Sequence, residues 1–334
     1  MKTSHYMSFA EQTRHYFGRA HVGVPEASLQ HPSAWTGHAL REDASAWLVE
    51  LSDADIKEIR AAVDRVLVAD LSLGEVGREQ FELPHLADRV RTWRDQVHEG
   101  IGFILVRGLP VDEWTEYELS VAFWGLGHHL GVPGAQNPDE ELLGHVKDYG
   151  EAQDDPFVRL YRTTANINFH CDAADIVGLL CLQPAKEGGQ SRIVSTVSLF
   201  NALLSERPDL VPFLFEPFLS DRRDRMPAGS APVGHVQAGC YDGRDLRTFY
   251  HSEYFRTVER HNNVVISEPH REILDFYDAR GADQNFHLDL WLRKGDMQFV
   301  SNHHVAHART AYIDFDEPER KRHLLRLWLS VEAP

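Results

Sequence analysis

Only three cysteines, Cys171, Cys181 and Cys240, occur among 334 residues, too few for a disulfide framework and no argument for an oxidising compartment. Positive charge is scarce as well. Against 51 Asp and Glu there are 34 Lys and Arg, a formal net charge of −17, which repels phosphate backbones and anionic headgroups and speaks against nucleic-acid or membrane-surface binding. No apolar run approaches the roughly 18 residues that a membrane-spanning helix needs. The opening Met1-Lys2-Thr3-Ser4-His5-Tyr6 lacks the apolar core of a signal peptide. Fixed-period repeats, low-complexity tracts and long Pro/Gly/Ser linkers are absent too. What remains is a globular chain, expected in the cytoplasm, with 43% hydrophobic residues and 20 histidines. Most histidines in a globular protein are structural or exposed, so these matter only where their spacing has a reason.

Residues 1–50 read as an irregular N-terminal wrap, and 51–334 as one domain with no internal boundary. Ser52 caps a predicted helix over 53–69, where Ile56, Ile59, Val63 and Val66 recur at helical spacing. A second amphipathic helix covers 86–97, and 117–126 is helical up to Gly127. The run 101–108 reads as a buried strand, and 176–182, 192–195, 286–292, 298–301 and 324–331 are further strand candidates. Helices interrupt them at 199–204 and 271–277. Short strands with long insertions and flanking helices predict a mainly β fold, a jelly-roll sandwich decorated with helices.

The chemistry begins at Asn168-Phe169-His170-Cys171-Asp172. On an extended strand His170 and Asp172 share a face, so imidazole and carboxylate can reach one cation. With a distant histidine they make a 2-His-1-carboxylate triad, which leaves three positions open on iron(II). A rival pair stands at His287-Leu288-Asp289. A jelly roll joins strands remote in sequence; His170 precedes the cluster His303-His304-Val305-Ala306-His307 by roughly 135 residues, whereas His287 precedes it by under about 25, space for little more than a hairpin. If that cluster is extended, His303 and His307 share a face and His304 does not, so His303 stays open as a rival ligand. Cys171, between two ligands, should point away from the metal into the core. Arg107-Gly108 reads as a strand end.

Several strings carry a resemblance in combination: Arg159-Leu160-Tyr161-Arg162-Thr163-Thr164, Phe169-His170-Cys171-Asp172, Asp175 to Leu182, Gly188-Gly189-Gln190-Ser191, Gly295-Asp296, Asn302, His307-Ala308-Arg309-Thr310, and Arg322-His323-Leu324-Leu325-Arg326-Leu327-Trp328-Leu329. From about Ile101 to Ser330 the chain resembles the taurine dioxygenase/TfdA-like family of iron(II)- and 2-oxoglutarate-dependent oxygenases. The resemblance implies a double-stranded β-helix (jelly roll, cupin-like) core with iron(II) on His170, Asp172 and His307, since the family's distal ligand precedes a small residue, an arginine and a threonine. It implies 2-oxoglutarate held at its C5 carboxylate by Arg322 and by Ser191, which stands where the family has threonine. It also implies that Arg326 faces an anionic group of the substrate. The order of the two arginines reverses with a small shift in alignment. Gln136 and Asn137, in a region like the family's pocket-lining loop, are candidate substrate contacts, with a turn role as the alternative.

The function expected is oxidation, in the first instance hydroxylation, of a small carboxylate- or amino-acid-type substrate by iron(II), 2-oxoglutarate and dioxygen, with succinate and carbon dioxide as coproducts. Desaturation and ring closure use the same first step. Two other readings are a zinc or manganese enzyme on a cupin-like barrel, which would not need Arg322, Arg326 and the Gly-Gly-Gln-Ser turn, and a non-catalytic small-molecule binding protein. The expected partner is a small anionic molecule; a homo-oligomer is compatible with the sequence.

Overall fold

A computed structural model describes residues 5–152, 158–223 and 231–331. Its central strand, Ile176–Gln183, is flanked on both sides by antiparallel partners, Met297–Ser301 and His323–Ser330. Side chains on a strand alternate between faces, and here each face has its own cover. Ile176, Leu180 and Leu182 join the large core beneath the helices, whereas Val177, Leu179 and Cys181 turn towards a second sheet. The last strand divides the same way: Leu325, Leu327 and Leu329 face the helices, and Leu324 and Trp328 face the second sheet. A strand apolar on both faces must be covered on both faces.

The larger sheet has seven strands. Its order is Leu48–Glu50, Phe103–Arg107, Met297–Ser301, Ile176–Gln183, His323–Ser330 and Val132–Gly134, with Gly144–Val146 also paired to His323–Ser330. The smaller sheet runs Leu288–Leu290, Ser191–Ser195, Val305–Arg309, Ile167–His170, antiparallel throughout. Helices Thr196–Glu206 and Glu268–Ala282 cover its outer face, where Val194, Ala306 and Ala308 pack. Between the sheets Phe103, Val177, Ile193, Leu288, Val300, Val305 and Trp328 form a third core. This is the expected helix-decorated jelly roll. No helix among the described residues is long and apolar enough to cross a membrane.

The predicted cap at Ser52 forms a capping box: its side chain accepts from Asp55 N–H while the Asp55 carboxylate returns to Ser52 N–H at 2.7 Å. The helix expected to stop at Gly127 does not. It spans Glu116–Leu130 and ends at Gly131. Gly125 and Gly127 are there for close approach, since a Cβ at Gly125 would lie 2.2 Å from the Phe81 ring and one at Gly127 2.5 Å from Leu327 Cδ2. Phe81 is fully buried and has nowhere to go. Gly125→Ala should therefore destabilise the protein by about 1 kcal/mol, overpacking of ~2 kcal/mol against the rigid Phe81 ring outweighing the ~1 kcal/mol that alanine gains in a helix. A denaturation midpoint at or above wild type would refute this.

The first 50 residues are less irregular than their composition suggests. Phe9–Phe17 is a helix with a Ser8/Glu11 capping box, a signal present in the sequence but short. It buries Tyr16, which stacks on His303 with ring centroids 4.7 Å apart and donates to Asn302 O at 2.9 Å. Leu48–Glu50 adds a parallel strand at one edge of the large sheet.

Candidate metal centre

His170 ends the strand Ile167–His170 and lies opposite His307 in the register of the smaller sheet. Their rings are 4.2 Å apart. Asp172 follows two residues later, its backbone N–H donating to Asn302 Oδ1 at 3.0 Å, and its Oδ2 lies 3.8 Å from His307 Nε2. One ligand atom from each of the three lies within 4.8 Å of the others. The contact between His170 Nδ1 and Asn168 O, 2.9 Å, makes Nδ1 the donor and leaves Nε2 with a free lone pair, the tautomer a metal requires. Trp328 Nε1 donates to Asp172 Oδ2 at 3.0 Å and fixes the carboxylate.

The charge states suit a divalent cation. Burial alone would raise the Asp172 carboxyl, but Arg326 above all, then His307 and His170, draw it down to about 2. Burial, reinforced by His170, pushes the His307 imidazole down to about 3, so it is neutral. An anionic carboxylate and a neutral imidazole pointing at one spot, with no hydrogen bond between them, fit iron(II) with three open positions.

Beside this triad the inner face of the barrel carries three buried arginines. Arg326 donates through Nε to Gln136 Oε1 at 3.0 Å, holds Nη1 3.7 Å from Asp172 Oδ1, and lies over the Trp328 and Tyr161 rings. Gln136 Nε2 is buried without a partner among the described residues. Arg322 is buried and lies over the Tyr312 ring, and its Nη1 has no hydrogen-bond partner among the described residues. Arg309, which shares its strand face with His307, donates Nη2 to the carbonyls of Leu160, Thr163 and Ala165, leaving Nε and Nη1 unpartnered. Burial, and next the neighbouring Arg322, bring the Arg309 guanidinium down to about 9. Among the described residues neither Arg309 nor Arg322 pairs with a carboxylate. Two adjacent buried cations without a counter-ion are costly, and an anion in the cavity between them offsets that cost. Ser191, opposite Arg309 in register, lines the same cavity.

The remaining sequence expectations resolve one by one. His287 bonds through Nδ1 to Gly281 O at 2.9 Å, and Asp289 is held bidentately by Arg192 at 2.6 and 3.0 Å; both are committed elsewhere. His303 does not share the strand face of His307, because residues 302–304 form a turn instead of a strand. His303 Nε2 meets Asp175 Oδ1 at 2.7 Å, and His304 Nε2 meets Asp245 Oδ1 at 2.7 Å. Asn137 is corrected to its turn role: its amide nitrogen donates to Glu141 Oε2, and its oxygen accepts from the backbone of Asp139 and Glu141. Cys171 is buried on the outer side with Val194 and Ala306, and burial pushes its thiol up to about 12. Arg107 closes its strand through Asp296 at 2.8 and 2.9 Å.

Two residues near the triad have no role assigned from the sequence. Arg309 was within reach, since any residue two past His307 on a strand shares its face. His251 was not. It sits between a strand and a short helix, bridges to His170, packs its ring 5.2 Å from that of His170 and stacks on Tyr254 at 3.6 Å. No local pattern announces that approach.

The model of the taurine catabolism dioxygenase TauD, TfdA family matches residues 67–328. FR-33289 synthase of Streptomyces rubellomurinus is 30% identical over 307 residues, covering 90% of this chain and 89% of that one. The solved asparagine oxygenase in complex with Fe(II), hydroxyasparagine and succinate superposes with a TM-score of 0.67 at 17% identity, over 85% of this chain and 93% of that one. The non-heme iron oxygenase OrfP with Fe and alpha-ketoglutaric acid gives 0.62 at 15%, over 85% and 94%.

Proposed function

We propose, from the premise that the chain belongs to the TauD/TfdA family and is an iron(II)- and 2-oxoglutarate-dependent oxygenase, that it hydroxylates a small anionic substrate of the carboxylate, amino-acid or sulfonate class. His170, Asp172 and His307 hold the metal; Arg322 with Ser191 holds the C5 carboxylate of 2-oxoglutarate; Arg326 with Gln136 receives the anionic group of the substrate. The observation that carries this reading is the set of buried guanidiniums around the triad, two of which, Arg309 and Arg322, pair with no carboxylate among the described residues. When bound, iron(II) supplies the activation of dioxygen that couples decarboxylation of 2-oxoglutarate to oxidation of a C–H bond.

The protein's own part is electrostatic and positional. Trp328 keeps Asp172 Oδ2 occupied by a hydrogen bond, so the carboxylate is oriented before any ligand arrives. Arg326 lies over the Tyr161 and Trp328 rings, and its planar fork favours a planar anion. The Ser191 hydroxyl supplies a hydrogen bond to a charged group, so Ser191→Ala should weaken 2-oxoglutarate by about 1.5–3 kcal/mol. An unaltered dissociation constant by anaerobic titration would refute that role. The taurine of the family's description, itself a sulfonate, supports an anionic substrate.

Residues 5–50 belong to the same folding unit as the rest in this reading, since Tyr16 and His15 are anchored on the barrel. The three cysteines are free and buried, which supports a cytoplasmic setting, and the acidic surface supports a small-molecule partner over nucleic acid. The experiment is incubation of anaerobically purified protein with iron(II), 2-oxoglutarate, dioxygen and a panel of amino, carboxylic and sulfonic acids, following succinate and product mass. Substrate-dependent succinate with a product heavier by one oxygen atom is expected. A product lacking two hydrogens would replace hydroxylation by desaturation or ring closure. Succinate formation stimulated only by cationic or neutral compounds would overturn the anionic class.

A further inference from the structure

A second set of ligating side chains lies outside this pocket, where the helix Glu116–Leu130 begins beside Gly144–Val146 and His323–Ser330. The two strands pair with His145 opposite Leu325, so His323, two residues before Leu325, is the diagonal neighbour of His145 on the same face. His145 Nδ1 and His323 Nε2 are 2.8 Å apart. The Glu116 carboxylate stands over both, with Oε1 4.0 Å from His145 Nδ1 and Oε2 3.8 Å from His323 Nδ1. We propose that Glu116, His145 and His323 form a second metal site, separate from the iron centre, that takes one divalent cation of the zinc type.

Two imidazole nitrogens at that separation share one proton, because two lone pairs facing each other repel and one ring must donate. A metal ion does the same work with both lone pairs. At metal–nitrogen distances of about 2.0–2.1 Å, tetrahedral ligation needs the nitrogens roughly 3.3 Å apart, so the rings separate by only about half an ångström. Glu116 is exposed and at the first position of its helix, so its carboxylate can swing in, and solvent supplies the remaining ligands. Burial, with His145, Lys147 and Arg322 adding to it against Glu116, holds His323 down at about 4, so its ring is neutral and ready to ligate. Lys147 and Arg322 also oppose a cation here; the Glu116 charge offsets them. Two nitrogens and one carboxylate suit zinc, cobalt, nickel or copper and disfavour magnesium and calcium, which take oxygen. The site ties a helix start to two strands, one of which begins immediately after Arg322.

The test counts zinc bound by full-length, iron-loaded protein after anaerobic dialysis against zinc chloride, with iron counted in the same samples. His145→Ala is expected to bind one zinc equivalent fewer than the wild type while keeping its iron and its binding of 2-oxoglutarate. Glu116→Gln should weaken that equivalent at least tenfold. His307→Ala should lose iron and retain the zinc equivalent that His145→Ala loses. Wild-type zinc stoichiometry in His145→Ala overturns the proposal. Should His145→Ala fail to fold, the exposed Glu116→Gln decides, and wild-type zinc affinity in that variant overturns the proposal equally.

Discussion

Replacing His307 by alanine is expected to abolish tight iron(II) binding, with the apparent dissociation constant rising by more than about 100-fold, whereas His287→Ala leaves it unchanged. Loss of a group that only orients a ligand already costs about 10- to 100-fold, so loss of a ligand itself should exceed that. His307 is neutral, buried, and 3.8 Å from the Asp172 carboxylate; without it two ligands remain, and Asp172 faces water and Arg326. His170→Ala should behave alike. His287 has its Nδ1 spent on Gly281 and is separated from the triad by the Ser191–Ser195 strand, so the side chain contributes nothing to the metal. Metal analysis after dialysis decides: iron kept in His307→Ala and lost in His287→Ala would dismiss the assignment.

Arg322→Leu should eliminate 2-oxoglutarate binding, while Arg326→Leu should spare it and remove the response to substrate. Truncating one partner of a buried charge pair costs about 2–5 kcal/mol, roughly 30- to several-thousand-fold in affinity. The readout is the visible absorption that forms when iron(II) and 2-oxoglutarate are mixed with the protein anaerobically: absent in Arg322→Leu, and present but insensitive to substrate in Arg326→Leu. Lysine at either position should rescue only in part, because a point charge does not reproduce the planar fork. Loss of the absorption in Arg326→Leu alone would exchange the two roles. If both variants keep absorption and substrate response, the argument from buried arginines fails, and the anionic substrate class with it.

How much of this was legible in the sequence depends on whether the cause was local. Alternation along Ile176–Gln183 and His323–Ser330 is a property of consecutive residues, so both strands and the shared inner face of Arg322 and Arg326 could be read directly. The Ser52 cap and the His170/Asp172 pair were legible for the same reason. Gly127 misled, because a glycine that ends a helix and one that admits Leu327 look alike until the neighbour is known. His303 misled because alternation was carried into a turn. The pairing of His303 with Asp175, the approach of His251 to His170, and the bonding of Arg309 to the carbonyls of Leu160, Thr163 and Ala165 are set by contacts between distant segments, which no window of sequence contains.

Asp175 has a consequence for where the protein can be cut. Its Oδ2 accepts from His15 Nε2 at 2.7 Å and from Val331 N–H at 2.8 Å, and its Oδ1 meets His303. The matched family region, residues 67–328, contains Asp175 and His303 but neither His15 nor Val331. A construction trimmed to that region would leave a buried carboxylate short of two of its three hydrogen bonds, uncover His303 by removing Tyr16, and strip one edge strand from the large sheet. Unsatisfied buried groups of this kind cost about 1–3 kcal/mol each, a large share of a typical domain's stability. The stretch matched by the family is therefore shorter than the stretch that holds Asp175 in place, and boundaries for expression or for grafting belong outside residues 15 and 331.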